Sequence, residues 1–215
     1  MTYLDLVNAV LIRLRETEVA AVTDTTYAQL IGALVNDAKR TVEVAWDWQA
    51  LRSTLTVNAT VGDNSYTLTG SGTNFKILDA YNDTNNVTLQ RLSTGELNRK
   101  LDMQGTSSGA PYSYGFDGLD ASGDQNILLY PIPDASYTLK FDCVVREAAL
   151  SDDADTTALP SHLVEMYAWA FATRERGETG GTSAQEIFSL ADRYLADAIA
   201  MEASRSSEEL TWYPV

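Results

Sequence analysis

Apolar and polar positions recur along this chain with two different periods, and the period changes twice. Leu4, Val7, Leu11 and Leu14 fall at helical spacing and predict a first helix. Thr2 is placed to cap it, and Asp5 to favour its first turn. The pattern lapses between Glu16 and Thr23. From Asp24, read as the next cap, it resumes to about Trp48, with Tyr27, Leu30 or Ile31, Leu34, Ala38, Val42 and Ala45 as the buried stripe. Trp46 and Trp48 stand near the end of this second helix.

Residues 53–145 switch to a period of two. STLTVNAT and SYTLT alternate on either side of Gly62-Asp63-Asn64, which reads as a hairpin. FKILDAYN and NVTLQRL follow, divided by Asn85-Asn86. The stretch from Ser93 to Met103 predicts a short helix, with Ser93 and Glu96 at capping-box spacing. PYSYGF, NILLYPIP and YTLKFDCVV supply three more strands. Pro131 and Pro133 cannot donate to a ladder, so the middle one ends at Tyr130 or lies at an edge. A run of short strands with polar turns predicts a small antiparallel sandwich or barrel.

The last third returns to the helical period. Asp152 to Thr157 reads as a polar linker, and Pro160 suits the first turn of the helix after it. SHLVEMYAWAFATRERGE carries one charge between Leu163 and Thr173, so it predicts a helix buried on nearly every face. Gly177, Gly180 and Gly181 end it. Ile187, Ala191, Tyr194, Ala198 and Met201 then mark an amphipathic partner, with Glu186, Arg193 and Asp197 opposite. The expected fold is therefore α+β. Two N-terminal and two C-terminal helices (1–52 and 146–203) form a four-helix bundle. A small antiparallel β-sandwich or barrel is inserted at 53–145, and an extended C-terminal tail covers 204–215.

Charge changes the picture more than composition does. Of 215 residues 45% are hydrophobic and 21% charged, an ordinary globular balance, but the net charge is −15. Such a chain repels nucleic-acid phosphates and anionic membranes. Its basic residues offer only isolated pairs, Lys39-Arg40 and Arg99-Lys100. The single Cys excludes an internal disulfide framework. MTYLDLVNAVLIRLRE lacks the flanks of a signal peptide, and Asp5, Asn8, Arg13 and Arg15 interrupt it too often for a membrane span. A protein folded in a reducing cytoplasm is expected.

Reactive chemistry is sparse. His162 is the only histidine, so one chain cannot build a catalytic triad or a histidine metal cluster, and its place in a first helical turn favours a capping or surface role. Cys143 is in phase with Leu139 and Phe141 and reads as a small core residue. Asp120, Ser122, Asp124 and Asn126 alternate as in a calcium loop, but Gln125 replaces the required glycine and Pro131 the bidentate glutamate. No phosphate-binding or nucleophile motif is present. No enzyme activity, metal or cofactor is expected. The competing reading is a carbohydrate-binding or hydrolytic module in the β region, for which Tyr112, Tyr114 and Asp117 could supply aromatics beside a carboxylate.

The N-terminal helix pair ending in WDWQAL, the β insertion, the ALP…YAWAFATRERGE helix and the Ala-rich helix after it resemble phage head-to-tail adaptors. The nearest type is the tail tubular protein A family of short-tailed phages. The resemblance runs through nearly the whole chain in order and spacing. It implies a structural virion protein of the neck, made in the host cytoplasm and assembled as a homo-oligomeric ring, typically a dodecamer. That ring would join the portal protein to a tail nozzle or tail tube, with genome DNA passing through the lumen and no membrane involved. A different ring or capsid component is the nearest structural alternative. The end SRSSEELTWYPV adds a candidate portal anchor: Leu210, Trp212, Tyr213 and Pro214 place apolar area on a polar tail.

Overall fold

The structure is a computed structural model, and it describes residues 1–103, 107–177 and 182–205. Among these residues it is α+β, with five helices and two four-stranded sheets, and the chain divides into two compact units. One unit is Met1–Ala50 with Glu147–Val215; the other is Leu51–Arg146.

The first unit holds α1 (Tyr3–Arg13), α2 (Thr26–Ala45), α4 (Ser161–Glu175) and α5 (Thr182–Ala203). The start of α1 is a full capping box: the Asp5 amide donates to Thr2 Oγ1 at 3.1 Å, and the Thr2 amide donates to Asp5 Oδ2 at 2.9 Å. The cap of α2 is Thr25, not Asp24. Thr25 Oγ1 accepts from the Ala28 amide, while the Asp24 carboxylate accepts from the Ala20 and Ala21 amides and shapes the preceding turn. The helix ends at Ala45. Trp48 folds back beyond it, its indole donating to the Val42 carbonyl at 2.7 Å.

The buried stripe of α2 is rotated from the expected one. It runs through Ala28, Ile31, Val35, Ala38 and Val42 and includes Gly32, Lys39 and Glu43, whereas Tyr27, Leu34 and Ala45 are only half-buried. Gly32 lets α1 approach, since a Cβ there would collide with the Tyr3 hydroxyl. The acidic segment before α4 is docked against α1, not a free linker. The Tyr3 and Leu4 amides donate to the carbonyls of Asp155 and Asp153, and the Asp153 carboxylate accepts from the Val22 amide. Helix α4 packs on α1, α2 and α5.

The second unit contains β1 (Arg52–Ala59), β2 (Ser65–Leu68), β3 (Phe75–Asn82), β4 (Val87–Thr88), β5 (Gln90–Arg91), α3 (Thr94–Met103), β6 (Ser113–Leu119), β7 (Gln125–Tyr130) and β8 (Tyr137–Val145). One sheet has the order β1-β8-β3-β4 and the other β2-β7-β6-β5. Both contribute to one apolar core: Val57, Ala80, Leu139 and Phe141 from the first, Leu68, Tyr114, Ile127 and Leu129 from the second. Helix α3 covers a smaller cluster of Leu97, Leu128 and Tyr130.

Two expectations about pairing fail here. β1 and β2 are not a hairpin: β1 pairs with β8 and β2 with β7, so the Gly62 turn carries the chain between sheets. The Tyr66 hydroxyl closes that corner, accepting from the Thr60 amide at 2.9 Å. Alternation fixes which residues face the core but does not choose a partner strand. The second sheet is also mixed, because β5 runs parallel to β6. By contrast β3 and β4 do form a hairpin around Asn86, whose φ of 54° suits asparagine. Strand β7 stops at Tyr130, before Pro131.

Candidate functional site

Several of the residues flagged for chemistry serve the fold. Asp120 Oδ1 accepts from the Ser122 and Asp124 amides, both at 2.8 Å, which is turn chemistry. Asp124 uses both oxygens on a neighbouring loop, Oδ2 accepting from the Gly70 amide at 3.0 Å and Oδ1 from the Gly72 amide at 2.8 Å. Those two donors hold its carboxyl below the usual carboxylate range. The alternate carboxylates therefore face backbone amides, not a common centre. Among the described residues, no group of three or more His, Cys, Asp or Glu side chains is arranged to hold a metal ion.

His162 is exposed in the first turn of α4 and meets the Tyr194 ring edge-on at 6.3 Å. Cys143 lies in the β core, 1% exposed, and burial pushes its thiol up to about 11, with Asp142 adding to the effect. A thiol so raised is a poor nucleophile at neutral pH. The proposed sugar platform does not assemble. Tyr114 is buried edge-on against Phe141, Tyr112 packs on Tyr130, and Asp117 is exposed on β6. Leu210, Trp212, Tyr213 and Pro214 lie outside the described residues.

Sequence reading missed a deeply buried charge cluster. Lys39 Nζ donates to Glu43 Oε1 at 2.8 Å and to the carbonyls of Ala148 and Glu147 at 2.8 and 3.2 Å. Lys39 is 1% exposed and Glu43 5%. All three ammonium protons are used, the condition under which a buried charge is tolerated. The Glu147 carboxylate then bonds the Thr157 hydroxyl and the Ala158 amide. The cluster ties the returning chain to α2 and carries no reactive group. A signal was available: Lys39 and Glu43 sit one turn apart, in phase with Val35 and Val42.

What the structure leaves for function is surface. Helix α5 keeps Leu190, Tyr194 and Met201 exposed, and the β unit keeps Val61, Leu78, Val87, Tyr112 and Leu119 exposed. Open apolar side chains of this kind suit protein contacts. Among the described residues no helix is long and apolar enough to cross a membrane.

Exposed apolar side chains are what a structural adaptor needs for its contacts. The family profile described as SU10 adaptor protein matches residues 1–212, and the chain belongs to that family. It is a phage head-to-tail adaptor, a virion component of the head–tail junction. The match does not carry the narrower likeness to tail tubular protein A. No curated protein matches the chain.

Proposed function

We propose that this adaptor assembles as a ring, with the dodecamer as the expected size, between the portal and the tail or nozzle, and that DNA passes through its lumen. The observation that carries the reading is the family match across residues 1–212. Two physical features support it. A net charge of −15 disfavours adhesion of DNA phosphates to the chain, as a passage for DNA requires. Asp120, Asp124 and Cys143, the reactive residue types flagged in the β unit, serve turns and core, which favours a role in contacts.

In this reading the helical unit is a four-helix bundle that carries contacts between copies. The β unit is a sandwich that meets the portal or nozzle, and Leu210, Trp212, Tyr213 and Pro214 anchor the portal. The domains are 1–52 with 146–203, 53–145, and the tail 204–215. Negative-stain imaging of the purified chain, alone and with a candidate portal, tests it. Closed rings that stack on the portal are expected. Monomers that leave the portal bare overturn the reading.

A further inference from the structure

Asp117 is a flagged carboxylate that the fold leaves without a task. It stands exposed on β6, and its side chain meets no hydrogen-bond donor or cation among the described residues. Asp120 and Asp124, a few residues further on, are each held by two backbone amides. What sets Asp117 apart is the residue after it. Asp117-Gly118 is the only Asp-Gly step in the sequence, and there is no Asn-Gly step.

The backbone is irregular at the same step. Phe116 pairs with Ile127 and Leu119 with Gln125, so the register of β6 against β7 shifts across Asp117 and Gly118. Gly118 has φ 76°, a conformation that suits glycine, and nothing lies within 4 Å of where a Cβ would stand. A free carboxyl group therefore precedes a backbone nitrogen whose own residue adds no side chain and has open space beside it.

These features favour one reaction that needs no partner or cofactor. The Gly118 nitrogen attacks Cγ of the protonated Asp117 carboxyl group. An N–C bond forms, and the carboxyl OH departs with the amide proton as water, closing a five-membered succinimide. Water then opens the ring. Attack at the former main-chain carbonyl of Asp117 leaves the chain running through Cγ, an isoaspartyl residue of unchanged mass. No oxidant or reductant takes part, and a side chain on the second residue would crowd the first step. We propose that Asp117-Gly118 is a site of spontaneous isoaspartate formation in the folded chain. The product lengthens the main chain by one methylene inside the bulge. It disturbs the bond from Gln125 Nε2 to the Gly118 carbonyl and the seat of Phe116, whose ring carries Arg91 at 4.4 Å and meets Phe75 and Tyr114 edge-on. A component of an assembled virion is not renewed, so the change accumulates with age.

The test uses the full chain, held for weeks at neutral pH and body temperature in water enriched in heavy oxygen. One arm is folded and the other is unfolded in guanidinium chloride. Peptide mapping, with methyl labelling by an isoaspartyl methyltransferase, reads the product at every aspartate. The expected result in the folded arm is isoaspartate at position 117, rising with time to several times the level at any other aspartate, with one heavy oxygen in each altered residue. Asp117→Ser should abolish it. Gly118→Asn, which tolerates the positive φ, should slow it several-fold, each variant being checked by a melting curve. Isoaspartate confined to the unfolded arm overturns the proposal, because the fold then protects the step. So does a level at position 117 no higher than at the other aspartates, or a folded Gly118→Asn chain that reacts as fast as wild type. If Gly118→Asn fails to fold, the wild-type time course decides alone.

Discussion

Helices α4 and α5 are neighbours in sequence and in space, and both are rich in alanine and aromatic residues, yet they are buried to very different extents. In α4, Leu163, Val164, Met166, Tyr167, Ala168, Ala170, Ala172 and Thr173 are buried, which covers most of its circumference. In α5, only Ala191 is buried among the residues whose exposure is described. The first is a core element held by three other helices. The second is a face laid on that core, with half its apolar arc left over. Burial thus differs sharply between adjacent helices, and substitutions should separate their contributions to stability.

The largest effect is expected inside α4. Ala170 is fully buried, so Ala170→Arg forces a long charged chain into a space with no partner. Burying an unpaired charge costs several kcal/mol, comparable to the whole stability of a domain. Loss of the cooperative thermal transition is the expected outcome. A folded Ala170→Arg protein with a normal melting curve would mean that α4 is not the central helix described here.

Next comes the buried cluster on α2. Lys39→Ala leaves Glu43 buried without its cation, and breaking a buried pair from one side costs about 3–5 kcal/mol. Replacing both residues with apolar ones of similar volume should recover most of that loss, because no charge is then stranded. Chemical denaturation of the single and double variants checks both. A smaller effect is expected where the two helices meet. The Tyr167 hydroxyl donates to Asp192 Oδ1 at 2.6 Å, and burial first, then that carboxylate, raises its pKa. Tyr167→Phe should cost about 1 kcal/mol, since Asp192 is exposed and can turn to water. A loss of several kcal/mol would show that α5 is as integral to the core as α4, and would erase the contrast between them.

Much of this arrangement was legible in the pattern of residues. Thr2 with Asp5, the apolar surround of α4 and the inward phase of Leu139, Phe141 and Cys143 follow from local spacing, which the folded chain obeys. What failed depends on partners distant in sequence. Thr25 displaced Asp24 as a cap because Asp24 had another set of amides to satisfy. β1 chose β8 over β2 because pairing is settled by the shared core, not by the nearest turn. The Lys39 site was hidden because its carbonyl partners lie more than a hundred residues away. The calcium-like loop was a turn pattern whose carboxylates serve Gly70, Gly72 and their own loop. The portal anchor rested on the last residues of the chain, beyond those described.

The smallest effect expected is acid sensitivity on the approach to α4. The Asp155 carboxylate accepts from the Ser151 and Asp152 amides, both at 2.8 Å, and these bonds lower its pKa from 3.8. Asp5, in the α1 cap, is lowered in the same way by the Thr2 amide. A carboxyl lowered on folding binds its proton more readily in the unfolded chain. Its contribution is therefore complete above about pH 4, and it is lost as the pH falls through the lowered folded value. Asp5 is exposed and Asp155 only half-buried, so the loss is small and screened by salt. Melting curves at pH 5 and pH 3 should show a drop for the wild type. Asp155→Asn cannot titrate and keeps a side-chain acceptor, so part of that drop should vanish in it. An equal drop in both proteins would mean that the acid response comes from elsewhere, and that the docked acidic segment before α4 contributes nothing to it.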